Sequence, residues 1–156
     1  MTVLTPVECR IRRTLVERVR NAEAGRPEDA CLTYSELGIA IDPDGDDRGM
    51  SRPPFRTMFP ALGHVSMYEV EHGRPMLSAL VVSQNGREPG PGFAELARQR
   101  KILVGGDDVA FWHAELERVV LFWTADDPTV ALDAVVDRLL RELVSLKAAV
   151  RHLAAS

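Results

Sequence analysis

The sequence predicts an α+β fold that is mostly helical, with one β-hairpin held between an N-terminal helix and a long C-terminal helix. Three observations carry this. Two Thr-x-x-Glu capping boxes, Thr5–Glu8 and Thr33–Glu36, each open an apolar-periodic run. One stretch, Gly73–Phe93, holds a short apolar run, an Asn-Gly pair and a Gly/Pro-dense loop. Residues 132–153 repeat apolar side chains at alternating spacings of four and three.

Thr5 can cap, Pro6 suits a first helical position and Glu8 completes the box. Val7, Ile11, Leu15, Val16 and Val19 mark the apolar face of a helix over 6–24, which Gly25 and Pro27 end. Arg10, Arg12, Arg13, Arg18 and Arg20 decorate the rest and read as a solvated face. Thr33-Tyr34-Ser35-Glu36 opens a short helix through Leu37, Ile39 and Ala40. Asp42-Pro43-Asp44-Gly45-Asp46-Asp47 begins like an EF-hand loop. Asp47 stands where such a loop needs glycine and Pro53 where it needs a bidentate glutamate, so this is an acidic loop without calcium. Phe55, Met58, Phe59, Leu62 and Val65 start the next helical pattern, running to His72-Gly73, with Pro60 either kinking it or beginning a second helix.

Leu77–Ser83 reads as a strand buried on at least one face. Asn85-Gly86 supplies the two positive-φ residues of a type I′ turn, and the return strand is short because Pro89 has no N–H to give. Gly90-Pro91-Gly92 leads into a helix over Phe93–Arg100; without a Lys-Ser/Thr or G-x-G-x-x-G it reads as a tight loop rather than a phosphate cradle. Ile102-Leu103-Val104 is an edge strand or the tail of that helix. Asp107 or Asp108 caps a helix with Phe111, Trp112, Leu116, Val119, Val120 and Trp123 on its apolar face, and His113 and Glu117 read as an exposed i,i+4 pair. Asp127-Pro128 starts the last helix, about 40 Å long at 1.5 Å per residue. Its stripe of Leu132, Val136, Leu139, Leu143, Leu146, Val150 and Leu153, widened by Val135, Leu140 and Val144, is either the seam of a homodimer or a face packed on the helices at 6–24 and 108–123.

A chain of 156 residues, 46% hydrophobic and 27% charged, suits one globular domain. Net charge is −4 but uneven: residues 1–47 carry 6 basic against 10 acidic side chains, 48–101 carry 8 against 4, and 102–156 carry 5 against 9. The basic middle keeps nucleic-acid binding open; the overall acidity argues against strong non-specific binding. Cys9 and Cys31 form no metal spacing with each other or with a histidine, which implies free thiols, a cytoplasmic location, no metal and no cofactor. No apolar run reaches membrane-spanning length and MTVLTPVECRIRR lacks a signal-peptide core, so no membrane partner is expected.

Thr33-Tyr34-Ser35-Glu36-Leu37 resembles the T-Y-G-x-[LVI] opening of the winged-helix DNA-binding domain in alkyltransferase-like proteins and alkylguanine-DNA alkyltransferases. Phe55-Arg56-Thr57-Met58-Phe59-Pro60-Ala61-Leu62 is similar to that family's A-R-A-V-G-x-A-[LM] recognition helix, and the resemblance would make Arg56 the arginine that enters the duplex. Pro75-Met76, then Leu80-Val81-Val82, stands where the family has P-C-H-R-V or P-W-H-R-V, and Asn85-Gly86 where its wing turns. Met76 replaces the reactive cysteine, so alkyl transfer is excluded on this alignment. The run P-x-L-S-A-L-V-V…P-G-x-G-F also looks like that of small uncharacterised bacterial proteins. The resemblance implies a winged-helix-like core over 33–104, between the helix at 6–24 and a helical pair at 108–154.

The leading expectation is therefore a non-enzymatic DNA-binding regulatory or accessory protein, dimeric through the C-terminal stripe. Arg52, Arg56, Arg74, Arg87, Arg98, Arg100 and Lys101 would meet phosphates, with Arg56 and the Asn85-Gly86 turn approaching a groove. The alternative is a protein-interaction module, such as an immunity or defence accessory, with an acidic protein partner. An enzyme using Ser78, His64 or His113 ranks last, because no nucleophile–base–orienter set is visible.

Overall fold

The computed structural model describes residues 1–22, 25–42, 55–103, 106–125 and 128–155, and their side chains except those of 55–57, 128–135, 137 and 138. The helices are α1 (Pro6–Asn21), α2 (Tyr34–Ile41), α3 (Phe55–Glu71), α4 (Pro91–Gln99), α5 (Asp108–Thr124) and α6 (Pro128–Ala154). Both capping boxes form. Thr5 Oγ1 accepts from the Glu8 N–H at 3.3 Å while Glu8 accepts from the Thr5 N–H at 2.9 Å. Thr33 and Glu36 repeat the exchange at 3.2 and 2.7 Å. α3 continues through Pro60 and ends on Gly73, whose φ of 71° lets its N–H reach Val70 O and the Arg74 N–H reach Glu69 O. Asp107 caps α5 through the Ala110 N–H at 2.9 Å. The acidic loop read from Asp42–Asp47 lies outside the described residues beyond Asp42.

The fold is mostly helical α+β as expected, but the expected hairpin is replaced by a different pairing. Leu77–Leu80 is a 3₁₀ turn, and only Val81–Val82 (β2) is strand. β2 pairs in parallel with Leu32–Thr33 (β1), Leu32 opposite Val81 and Thr33 opposite Val82. The reason lies in who satisfies the backbone. Glu115 takes the Met76 N–H at 2.8 Å, Ser66 Oγ takes the Ser78 N–H at 3.1 Å, and Trp112 Nε1 donates to Ala79 O at 2.9 Å. Side chains of α3 and α5 thus do the work of a neighbouring strand along most of this run. The chain still reverses after it, but as a wider turn: Ser83 N–H reaches Glu88 O at 2.8 Å, Arg87 N–H reaches Ser83 O at 3.0 Å, and the positive φ falls on Arg87 at 49°, not on Asn85-Gly86. Ile102 and Leu103 are neither strand nor helix; both N–H groups fold back onto Ala97 O.

The 3₁₀ turn sits at the centre of the core. Met76, Leu77, Leu80 and Val81 are fully buried, surrounded by Ile11, Leu15 and Val19 of α1, Val65 of α3 and Leu116 and Val119 of α5. α1 packs on both α3 and α5, and α6 packs beside α5. No helix among the described residues is long and apolar enough to cross a membrane.

Candidate interaction surface

α6 packs beside α5 as far as Glu142 and presents exposed side chains beyond its first turns. Every described side chain from Leu139 to Ala155 is exposed. The stripe is exposed with it, from 43% at Val136 and Leu139 to 73% at Leu153, with Leu143, Leu146 and Val150 in between. Leu140 and Val144 widen it, also exposed. The Leu132 side chain lies outside the described residues. Covering such a side chain completely is worth about 1.5–3 kcal/mol, which makes the stripe a candidate contact face. The side chains from Leu139 onward stay exposed, although α6 still meets α5 through Glu142.

α6 is tied to the core by charge. Arg118 of α5, itself buried, donates Nη1 to Glu115 at 3.0 Å and Nη2 to Glu142 of α6 at 2.8 Å. Glu115 also holds the Met76 N–H, so the relay runs from the central turn to the outer helix. Arg118 Nε is buried without a hydrogen bond.

The basic residues read from the sequence each meet different partners. Arg74 belongs to the α1–α3 seam: its Nε lies 2.5 Å from Glu69, which also takes Arg12 and is fully buried. Arg98 is ion-paired with Asp108. Arg100 and Lys101 follow it, exposed, at the end of α4, and Arg100 acts on Glu71, whose carboxyl the Thr2 N–H holds below its usual range. Asn85 and Arg87 are exposed on the turn after β2, where the Arg87 charge acts on Cys31 and Glu36 instead. Arg98, Arg100 and Lys101 thus lie together along the chain at the end of α4, Arg100 acting on Glu71 of α3, two residues beyond the Glu69 that holds Arg74. Arg52 and the Arg56 side chain lie outside the described residues.

The α1 arginines are not simply a solvated face. Arg12 and Arg74 flank Glu69, both guanidiniums stack near Tyr68, and Arg12 and Arg20 stack on Trp123 at 5.4 and 5.6 Å from its ring centre. Arg18 donates to the carbonyls of Ala30 and Cys31. One signal was available: Met58, Leu62, Val65 and Glu69 follow one helical stripe, which places a carboxylate at a core position and so demands a cation. Its partners, 57 residues before and five after, left no local pattern.

The candidate catalytic groups are each held by something other than a triad partner. Ser78 Oγ accepts from Ser66 Oγ at 2.7 Å inside the core. His64 Nδ1 pairs with Glu8 at 2.9 Å. Burial raises the Glu8 carboxyl, but the Thr5 N–H and His64 outweigh it and hold it below the usual range. His113 faces Glu28 at 3.3 Å rather than Glu117. Among the described residues no cluster of His, Cys, Asp and Glu could hold a metal ion. A groove of about 750 Å³ between the ends of α1 and α5 is lined by Arg20, Arg26, Val120 and Trp123 among others. Comparison of the chain with family models, with curated proteins and with solved structures finds no match.

Proposed function

We propose that this chain is a non-enzymatic protein-interaction module whose contact surface is the apolar stripe of α6. The observation that carries the reading is the exposure of Leu139, Leu143, Leu146, Val150 and Leu153 along one face of α6. In proteins an amphipathic helix gains most of its stability from what covers its apolar face rather than from propensity. The Arg118–Glu142 contact ties the helix to α5.

A photoreactive amino acid in place of Leu143 tests this in cells expressing the full chain. A crosslinked adduct is expected, and Leu139→Asp with Leu146→Asp should abolish it while leaving the remainder folded. Absence of any adduct, with itself or with another protein, sinks the reading.

A second reading follows the alkyltransferase-like resemblance. Residues 33–104 would form a winged-helix-like unit with α3 as recognition helix, and Arg98, Arg100 and Lys101 would meet phosphates. Their grouping at the end of α4 favours it; the ion pairs of Arg74 and Arg98 and the net charge of −4 put it second. A gel shift on duplex and single-stranded DNA at low and moderate salt decides it, since phosphate contacts lose affinity steeply with salt.

A further inference from the structure

We infer that the α6 stripe is covered by a second copy of this chain, aligned parallel and in register. This rests on α6 being the interaction surface and adds the occupant and its direction.

The spacing of the stripe assigns heptad positions. Val136, Leu143 and Val150 fall at a; Leu132, Leu139, Leu146 and Leu153 fall at d. Two of the three a positions are β-branched and every d position is leucine. That is the combination that packs as a parallel two-stranded coil, because the a and d knobs meet their holes at different angles. The residues flanking the seam agree. Glu142 falls at g and Lys147 at the following e, and in a parallel pair g of one helix faces the next e of its mate. Each Glu142 then lies beside the Lys147 of the second copy, twice by symmetry. Lys147 is exposed and has no ion pair within the chain among the described residues, so it is available. Glu142 holds Arg118 through Oε2 and its side chain is half exposed.

The antiparallel alternatives fit less well. Centred on Arg141, an antiparallel pair sets Glu142 against its own copy; shifted by one heptad, it sets Glu142 against Ala149 and Lys147 against Leu140. Neither gives Glu142 a cation from the second chain. A parallel pair also places both globular bodies at the same end of the coil, because α5 and the core lie at the N-terminal side of α6.

The test uses the full chain with Cys9→Ser and a single cysteine at a d position. Leu146→Cys should give a disulfide-linked homodimer under mild oxidation, because like d residues face each other only in the parallel, in-register pair. Wild-type protein should have twice the chain mass by light scattering at micromolar concentration. Lys147→Glu should weaken the dimer several-fold, and Lys147→Arg should not. Preferential crosslinking in a mixture of Val136→Cys with Leu146→Cys, or of Leu143→Cys with Leu146→Cys, would show antiparallel helices and overturn the inference while sparing the interaction surface. A monomeric wild type overturns it as well, and the adduct seen from position 143 then tells whether α6 serves a different protein or none.

Discussion

Glu142 of α6 lies 2.8 Å from Arg118 of α5, and through that arginine it is coupled to Glu115 in the core. The two carboxylates differ in surroundings: Glu115 is 3% exposed and Glu142 is 49% exposed. Arg118→Ala leaves Glu115 buried without its cation and should cost about 3–5 kcal/mol. Glu142→Gln removes only a partly solvated partner and should cost less than about 1 kcal/mol. Urea denaturation of both variants measures the difference; equal losses would mean that Glu115 does not depend on Arg118.

Gly90 fixes the loop before α4 against the aromatic pair Tyr34–Phe59, whose rings are 4.8 Å apart. A methyl group at Gly90 would stand 3.1 Å from both the Tyr34 hydroxyl and Phe59 Cε1. Both rings must give by a few tenths of an ångström, and Phe59 is partly exposed, so Gly90→Ala should destabilise by about 1 kcal/mol or less. Thermal denaturation checks it. Gly92→Ala, where the added methyl meets nothing, serves as control.

The thiols should separate cleanly. Cys9 is exposed; Cys31 is buried, and burial, with the Glu28 charge second, pushes its thiol up to about 11. A thiol reagent at neutral pH should modify one cysteine in the folded protein and the second only in denaturant. Cys9→Ser should be neutral, and Cys31→Ser should cost about 1–2 kcal/mol. Rapid modification of both thiols without denaturant contradicts the buried position of Cys31.

Acid should act through the capping boxes. The Thr33 N–H holds the Glu36 carboxyl below 4.5, and Glu8 is held below the same value by Thr5 and His64 against the effect of burial. A carboxyl with a depressed folded pKa stabilises the fold above its unfolded value and loses that contribution as pH falls through the folded one. Stability from these two groups should be level from pH 7 to about 5 and fall below about 4.5. Thr33→Ala should lower stability by about 1 kcal/mol at neutral pH, while Glu36→Gln, which removes the titrating carboxyl, should flatten part of the acid decline. An unchanged acid profile in that variant would assign the decline to other carboxylates.

The legible parts of this fold were those whose causes are local. Thr5 and Glu8, or Thr33 and Glu36, are three residues apart, so their exchange of hydrogen bonds is written in the sequence, as is the stop at Gly73. The stripe of α6 was legible for the same reason. Leu77–Val82 looked like a strand because composition reports burial and not the identity of the hydrogen-bond partner. Those partners, Ser66, Glu115 and Trp112, come from 12 to 39 residues away. The partners of Arg74, Arg87 and Arg98 were hidden likewise, since a count of charges in a segment says nothing about which group each one meets.

The Arg12–Glu69–Arg74 cluster limits how this sequence can drift. Loss of Glu69 strands two guanidiniums in the α1–α3 seam, and loss of either arginine weakens the compensation of a fully buried carboxylate. Replacing all three by apolar side chains of similar volume is, by contrast, compatible with a stable core. The intermediate states are the unfavourable ones, so descendants should either inherit the three residues together or have exchanged them together, with positions 12, 69 and 74 varying as one character.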